Sequence, residues 1–254
     1  MTHINSALNL LHAVRASTDA IGVAVSFGKD SLATLDLCCR VFDRVEGFYL
    51  FRVRDMGIVK HWCDCVSDRY GVQVRQYPHF DLSRCYRHSV LQPHWANARE
   101  APAIKMADIE NAFRADAGVD WIAYGWRRSD SFSRALIMKQ CAGYDDRARR
   151  CFPLRAFKRG DVYDYLRRRR IELPPSFGRK EQGGLDFHPE AIKTLREQYP
   201  ADYARWVADF PFSEVPGLAT TTDDPASESD DQTSPDRRAS STTAPMRKER
   251  RQRD

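Results

Sequence analysis

The chain has 254 residues, 42% of them hydrophobic, and 40 basic against 35 acidic side chains for a formal charge of +5. That is enough to build one globular core up to about Leu218, whereas the longest apolar runs are too short to span a membrane and the start, Met1-Thr2-His3-Ile4-Asn5, lacks a signal peptide's basic opening. The small cationic excess permits a polyanionic partner without requiring one, and seven cysteines without framework spacing read as reduced thiols of a cytoplasmic protein.

A helical pattern runs from His3 to about Ala16. Ile21 to Val25 then reads as a strand covered on both faces, and the helix that follows, Asp30 to Val41, carries Leu32, Leu35, Leu37, Cys38 and Val41 at helical spacing. Between them lies Ser26-Phe27-Gly28-Lys29-Asp30-Ser31. A strand entering a helix through such a turn leaves main-chain N–H groups unpaired beside the positive end of a helix dipole, so it can bind phosphate. Ser26, Gly28 and Ser31 add little bulk there, and Gly28 is expected to permit the close approach of an anionic oxygen.

A strand from Gly47 to Val53, a helix from Met56 to Tyr70 and a strand from Val72 to Tyr77 come next. His79, Cys85, His88 and His94 match no zinc spacing and read as loop residues lining a pocket, while Cys63 and Cys65 point to opposite sides of their helix, so no metal site is expected. After a helix from Ile104 to Ala117, the strand Trp121 to Gly125 runs into Trp126-Arg127-Arg128-Ser129-Asp130-Ser131-Phe132-Ser133-Arg134. Arg127 and Arg128 offer guanidinium forks suited to oxyanions, Ser129 or Asp130 is expected to cap a helix running to Cys141, and Arg134 follows near one turn later.

Helices are further expected at Asp161 to Arg169, Glu190 to Gln198 and Asp202 to Ala208. The alternation predicts an α/β fold with a doubly wound, mainly parallel, Rossmann-like sheet, and two anion motifs at strand C-termini converge naturally on one pocket. From Ala219 the chain turns to Ser, Thr, Asp, Pro and then Arg, which predicts a domain over 1–218 and a disordered tail over 219–254, acidic and then basic. Arg167 to Arg170, or that tail, could contact nucleic acid or a protein partner, although arginines at a helix C-terminus are also favoured by its dipole.

These motifs resemble the phosphoadenosine phosphosulfate reductase family, within the N-type ATP pyrophosphatase or adenine nucleotide alpha-hydrolase-like superfamily. Ser26 to Ser31 is similar to the family's pyrophosphate loop, and Gly125 to Arg134 to its G-x-R-R-x-[acid or amide]-S-x-x-R segment. Cys151-Phe152-Pro153-Leu154-Arg155-Ala156-Phe157, followed by Gly160 to Leu166, is similar to a third stretch, with Phe157 in place of the usual Trp. The resemblance covers residues 20 to about 185. It implies that Ser26, Phe27, Gly28, Lys29, Asp30, Ser31, Gly125, Arg127, Arg128, Ser131 and Arg134 bind the phosphates of ATP or phosphoadenosine phosphosulfate. Lys29 and Arg127 would neutralise developing charge, and Asp30 would orient Mg²⁺ or a loop amide.

Two features depart from the family. Its reductases use a cysteine in a C-terminal E-C-G-[LI]-H-like motif, but the last cysteine here is Cys151. Nor is there the iron–sulfur pattern of the related adenylylsulfate reductases, since Cys38-Cys39 falls inside a helix, so no cluster is expected. Three functions remain open at this point: ATP cleavage between the α and β phosphates with adenylylation, for sulfur transfer among other uses; thiol-dependent sulfonucleotide reduction, with Cys85 or Cys151 as substitute thiol; and nucleotide binding without catalysis, in a DNA-modifying or regulatory system. An oligomer is compatible with each.

Overall fold

In a computed structural model, residues 3–175, 177 and 185–214 are described. The elements are α1 (His3–Arg15), β1 (Ala20–Ala24), α2 (Lys29–Cys39), β2 (Arg44–Phe51), α3 (Gly57–Tyr70), β3 (Val74–Pro78), α4 (Asp81–Arg87), α5 (Met106–Ala117), β4 (Trp121–Ala123), α6 (Phe132–Gln140), β5 (Tyr144–Asp145), β6 (Arg150–Cys151), α7 (Arg159–Arg169), α8 (Pro189–Gln198) and α9 (Pro200–Asp209). Single 3₁₀ turns lie at Ala98–Glu100 and Pro211–Glu214.

The sheet has the order β3-β2-β1-β4-β6-β5, parallel throughout except for the β5–β6 hairpin. Alternation along the strands feeds two cores. Ile21 and Val23 of β1 and Trp121 and Ala123 of β4 face a core shared with α1, α2, α3 and α7 to α9. On the other face Phe48, Ile122 and Tyr124 pack with Phe113 of α5 and Met138 of α6. Helices on both faces explain why β1 and β4 contain no solvent-facing polar position.

Chain direction reverses its progress across the sheet between β1 and β4. Strands added after β1 go one way and those after α5 go the other, which opens a crevice at the C-terminal ends of β1 and β4. The segment that follows β6, Phe152 to Phe157, is a run of turns tied to the chain after β4 by the Arg128 N–H, which bonds the Arg155 carbonyl at 3.3 Å.

Several boundaries differ from expectation. β4 stops at Ala123 rather than Gly125, because the chain there already bends over the start of α2. The capping of α6 also differs: neither Ser129 nor Asp130 caps it, but Ser131, whose hydroxyl accepts the Arg134 N–H at 3.2 Å. α4 and the β5–β6 hairpin escaped the pattern entirely. The hairpin turn is Asp-Asp-Arg-Ala-Arg, and the Asp145 carboxylate organises it by accepting from Arg147 and Ala148 N–H at 2.9 and 3.0 Å.

The closing helices are tied back to the sheet edge. Asp202 of α9, 5% exposed, accepts the Gly57 and Ile58 N–H groups at 2.6 and 2.8 Å and so satisfies the start of α3. The arginine run is partly committed as well: Arg169 pairs through Nε at 3.0 Å with Asp36, a carboxylate 1% exposed that also accepts from Tyr70 and Tyr165. Arg69 covers the carbonyls of Arg169 and Arg170 at 2.7 and 2.9 Å. The segment 219–254 lies outside the described residues. No helix among the described residues is long and apolar enough to cross a membrane.

Candidate active site

The first loop begins where β1 ends. Val25 N–H still bonds the Phe48 carbonyl at 2.8 Å, and the chain then turns at Phe27, which adopts a left-handed φ of 57°. A non-glycine residue in that region costs on the order of 1 to 3 kcal/mol, offset here because the Phe27 ring is buried against Tyr49 at a centroid distance of 5.3 Å. Phe27 therefore shapes the loop from the core side. Gly28, by contrast, has an ordinary φ of −76°, and a Cβ there would meet only Ser26 Oγ at 3.5 Å.

Ser31 Oγ donates to the Gly28 carbonyl at 2.9 Å and accepts the Ser26 N–H at 3.2 Å, closing the loop on itself. The N–H groups of Phe27, Gly28, Asp30 and Ser31 have no acceptor among the described residues. They belong to the turn and the opening of α2, where the helix dipole favours negative charge.

The second loop meets the first through Gly125. A Cβ on this residue would lie 2.8 Å from the Asp30 carbonyl carbon, 2.9 Å from its oxygen and 3.1 Å from Ser31 N, so only glycine lets the two loops touch. Just before it, Tyr124 donates its hydroxyl to Glu110, a carboxylate 2% exposed that also holds Arg150 Nε at 2.9 Å. This buried contact fixes the end of β4.

Charges then alternate across the crevice. Lys29 Nζ lies 2.6 Å from Asp30 Oδ2, Asp30 Oδ1 lies 3.1 Å from Arg127 Nε, and Arg127 reaches Asp130 Oδ1 at 2.7 Å. Asp130 also accepts the Arg127 N–H at 2.9 Å and faces Arg134 at 3.4 Å. The Arg127 guanidinium, 10% exposed, is thus walled in by two carboxylates. Its Nε and Asp30 Oδ1 are close but misaligned for a hydrogen bond, and both are buried without another partner among the described residues. Arg134 lies over the Trp126 ring at 5.1 Å, and Trp126 stacks on Phe152.

Lys29, Asp30, Arg127 and Arg134 are therefore brought together, with Gly125 as the contact and Ser26 and Ser31 as the internal brace. The Ser131 hydroxyl is engaged in capping, and Arg128 is exposed, its backbone N–H bonding the Arg155 carbonyl at 3.3 Å. Asp130, expected only as a helix cap, instead pairs with Arg127, and its spacing of three from that arginine is the signal for the contact.

The residues do not form a metal cage. Both Asp30 oxygens face cations, and among the described residues no three His, Cys, Asp or Glu side chains converge. Asp30 in this arrangement does not fit as a dedicated Mg²⁺ ligand. The seven thiols are distributed over α2, α3, α4, the end of α6 and β6. Cys85 and Cys151 are both buried; burial pushes the Cys85 thiol up to about 11 and the Cys151 thiol well above its usual range. Burial therefore favours the neutral thiol over the attacking thiolate at both positions.

His79 follows β3 on the same edge. Burial, then the Arg52 charge, lowers its pKa to about 4 from an ordinary 6.5, against an opposing pull from Asp81, and its Nδ1 accepts the Asp81 N–H at 3.2 Å. The folded protein thus holds the ring neutral while the unfolded chain protonates it. Stability from this group is complete above about pH 6.5 and declines as pH falls toward 4. Denaturant titrations at pH 7 and pH 5 are expected to show a loss of about 2 kcal/mol in the native chain that His79→Gln lacks; equal losses in both would remove His79 as the cause.

Comparison with known proteins gives a family. The model of the phosphoadenosine phosphosulfate reductase domain matches residues 20–180. Solved structures similar to this chain include phosphoadenylyl-sulfate reductase from Candida auris in a phosphate complex, at 13% identity and a TM-score of 0.44, covering 66% of this chain and 81% of that one. Another is the U34-tRNA thiolase NcsA from Methanococcus maripaludis with its [4Fe-4S] cluster, at 11% identity and a TM-score of 0.45, covering 84% of this chain and 79% of that one. No curated protein matches the chain.

Proposed function

Because the chain belongs to the phosphoadenosine phosphosulfate reductase domain family, we propose that it is an adenine-nucleotide enzyme that cleaves ATP between the α and β phosphates and transfers the adenylyl group to an acceptor, in the service of sulfur transfer. The observation that carries this reading is the charge bridge Lys29–Asp30–Arg127–Asp130, set beside four N–H groups without acceptors among the described residues at the sheet's switch point.

In this reading the phosphate oxygens accept from the N–H groups of Phe27, Gly28, Asp30 and Ser31. An acceptor oxygen attacks the α-phosphorus in line, the bond to the bridging α–β oxygen breaks, and pyrophosphate departs with that electron pair. Lys29 and Arg127 neutralise the charge that develops, and Asp30 keeps both cations aimed at it. ATP is taken as its magnesium complex, the ion arriving with the substrate. Reduction of a sulfonucleotide fits less well, since it needs a thiolate at the sulfur and both Cys85 and Cys151 are buried.

Two assays on one preparation test the proposal. Magnesium ATP, offered with candidate acceptors, is expected to yield pyrophosphate and AMP or an adenylylated product, with Asp30→Ala reducing the rate by about 100-fold or more. Phosphoadenosine phosphosulfate with thioredoxin is expected to bind and release no sulfite. Sulfite production with no cleavage of ATP would replace adenylylation by reduction.

A further inference from the structure

Away from the charge bridge, α4 and the segment after it leave three aromatic side chains in water: Phe80, Tyr86 and Trp95, the last of them 57% exposed. α4 turns Leu82 and Cys85 into the core. Phe80 itself has helical φ and ψ of −58° and −29°, so Phe80, Arg84 and Arg87 follow one another at spacings of four and three and share the face opposite. The segment that carries Trp95 folds back onto the same helix. Ser83 Oγ accepts the Ile104 N–H at 3.1 Å, and Ser89 Oγ meets His94 Nδ1 at 3.3 Å, which holds the chain next to Trp95 at the end of α4.

The charges interleaved with these rings are one-sided. Between Phe80 and Arg99 the sequence holds three arginines and a single acid, Asp81. Asp81 is already engaged, 3.6 Å from the Arg52 guanidinium and 3.4 Å from His79 Nδ1. Arg84 and Arg99 are exposed and Arg87 half-buried, and none has an acceptor for its guanidinium among the described residues. Glu100 and, beside Tyr86, Asp209 lie at the border of the patch. The Phe80 ring stacks on His79 at 4.3 Å and 29° while the residue stays 38% exposed, so a further planar group can extend the stack.

Aromatic planes set among unpaired guanidinium groups match a chain of stacked bases joined by phosphates, because every base offers a π-face and each fork can hold a phosphate in two-pronged fashion. A duplex keeps its bases stacked inside and would leave the rings unused. A protein partner would use aliphatic contacts, but the exposed Leu136 and Ile137 belong to α6, not to this face. We propose that α4 and the segment to Arg99 bind single-stranded nucleic acid, with bases on Phe80 and Trp95 and phosphates on Arg84, Arg87 and Arg99. The strand would lie on the same sheet edge as the Ser26 to Ser31 loop, since β3, β2 and β1 are successive parallel strands and α4 follows β3, two strand spacings or roughly 10 Å away. This goes beyond the adenylylation reading and does not depend on it.

Fluorescence anisotropy of the full chain with labelled single-stranded RNA and DNA of one mixed sequence, and with the matching duplex as competitor, tests this. The single strands are expected to bind and the duplex to compete about tenfold less well. Trp95→Ala should weaken binding about tenfold and Trp95→Phe only about twofold, because the second keeps a ring for stacking. Arg84→Gln combined with Arg87→Gln should lower the slope of log affinity against log salt by about 1.4, at about 0.7 per phosphate contact, whereas Trp95→Ala leaves that slope unchanged. These side chains are exposed or half-buried, so melting temperatures of the variants should match that of the native chain. No binding by the native chain would overturn the proposal. So would unaltered affinity in both Trp95→Ala and the double arginine variant, which would place the strand elsewhere, as on the arginine-rich end of the sequence. Displacement of the strand by polyglutamate together with full binding by Trp95→Ala would also overturn it, in favour of a surface for acidic proteins. The titrations contain no ATP, so a failure of ATP cleavage would leave their result intact.

Discussion

Arg127→Met is expected to lower the stability of the unliganded protein by about 3 kcal/mol and to abolish nucleotide binding in the same stroke. The sequence alone suggests a milder outcome, in which even Arg127→Lys weakens binding by about 1.5 to 3 kcal/mol and leaves folding intact. Burial changes that. Arg127 is 8% exposed and lies between Asp30 and Asp130, so its removal leaves two carboxylates across a narrow gap with Lys29 and Arg134 only at their outer sides. Denaturant unfolding supplies the check, and so does the double variant Arg127→Met with Asp130→Asn, which should recover part of the loss by discharging one carboxylate. A single variant as stable as the native chain would show that the bridge is not a structural unit.

Gly125→Ala should be comparably damaging for a different reason. The added methyl group would press on the backbone of Asp30 and Ser31 at 2.8 to 3.1 Å, and backbone at a helix start cannot rotate aside as a side chain can. The second loop must lift off the first, carrying Arg127 with it, at a cost of about 2 to 3 kcal/mol and with loss of nucleotide binding. Gly28→Ala is the matched control. Its Cβ would meet only Ser26 Oγ at 3.5 Å, so stability should be unaltered, and any fall in affinity there reports on the ligand's own approach. If Gly125→Ala melts and binds like the native protein, the contact between the loops is not required.

Much of this arrangement was legible in the chain. β1 and α2 announced themselves through a change of hydrophobic period across the loop, and the parallel order followed from alternating elements. β6 could not be read that way. It is two residues long and set among charges, and it is a strand because β4 and β5 offer it partners, with Ile122 opposite Arg150 on one side and Asp145 opposite it on the other. The end of β4 is similarly non-local, since Asp30, distant in sequence, decides where Gly125 must bend. Phe27 was legible as part of the turn between β1 and α2 but not as the residue with positive φ, because glycine at the next position is the stronger local signal. That Arg127 would be buried depended on two carboxylates arriving from separate segments, which no local pattern contains.

The Asp202 contact has a consequence for how the protein is made. The N–H groups it accepts belong to Gly57 and Ile58, 145 and 144 residues earlier. During synthesis the chain emerges from its N-terminus, so α3 exists for most of that time with its first turn open to water, and α9 supplies the acceptor only when nearly all of the described residues have been made. The β1 loop, in contrast, is braced by Ser31 within five residues of Ser26. The loop after β1 can thus be braced early and locally, while the flank of the sheet that carries α3 waits for the far end of the chain.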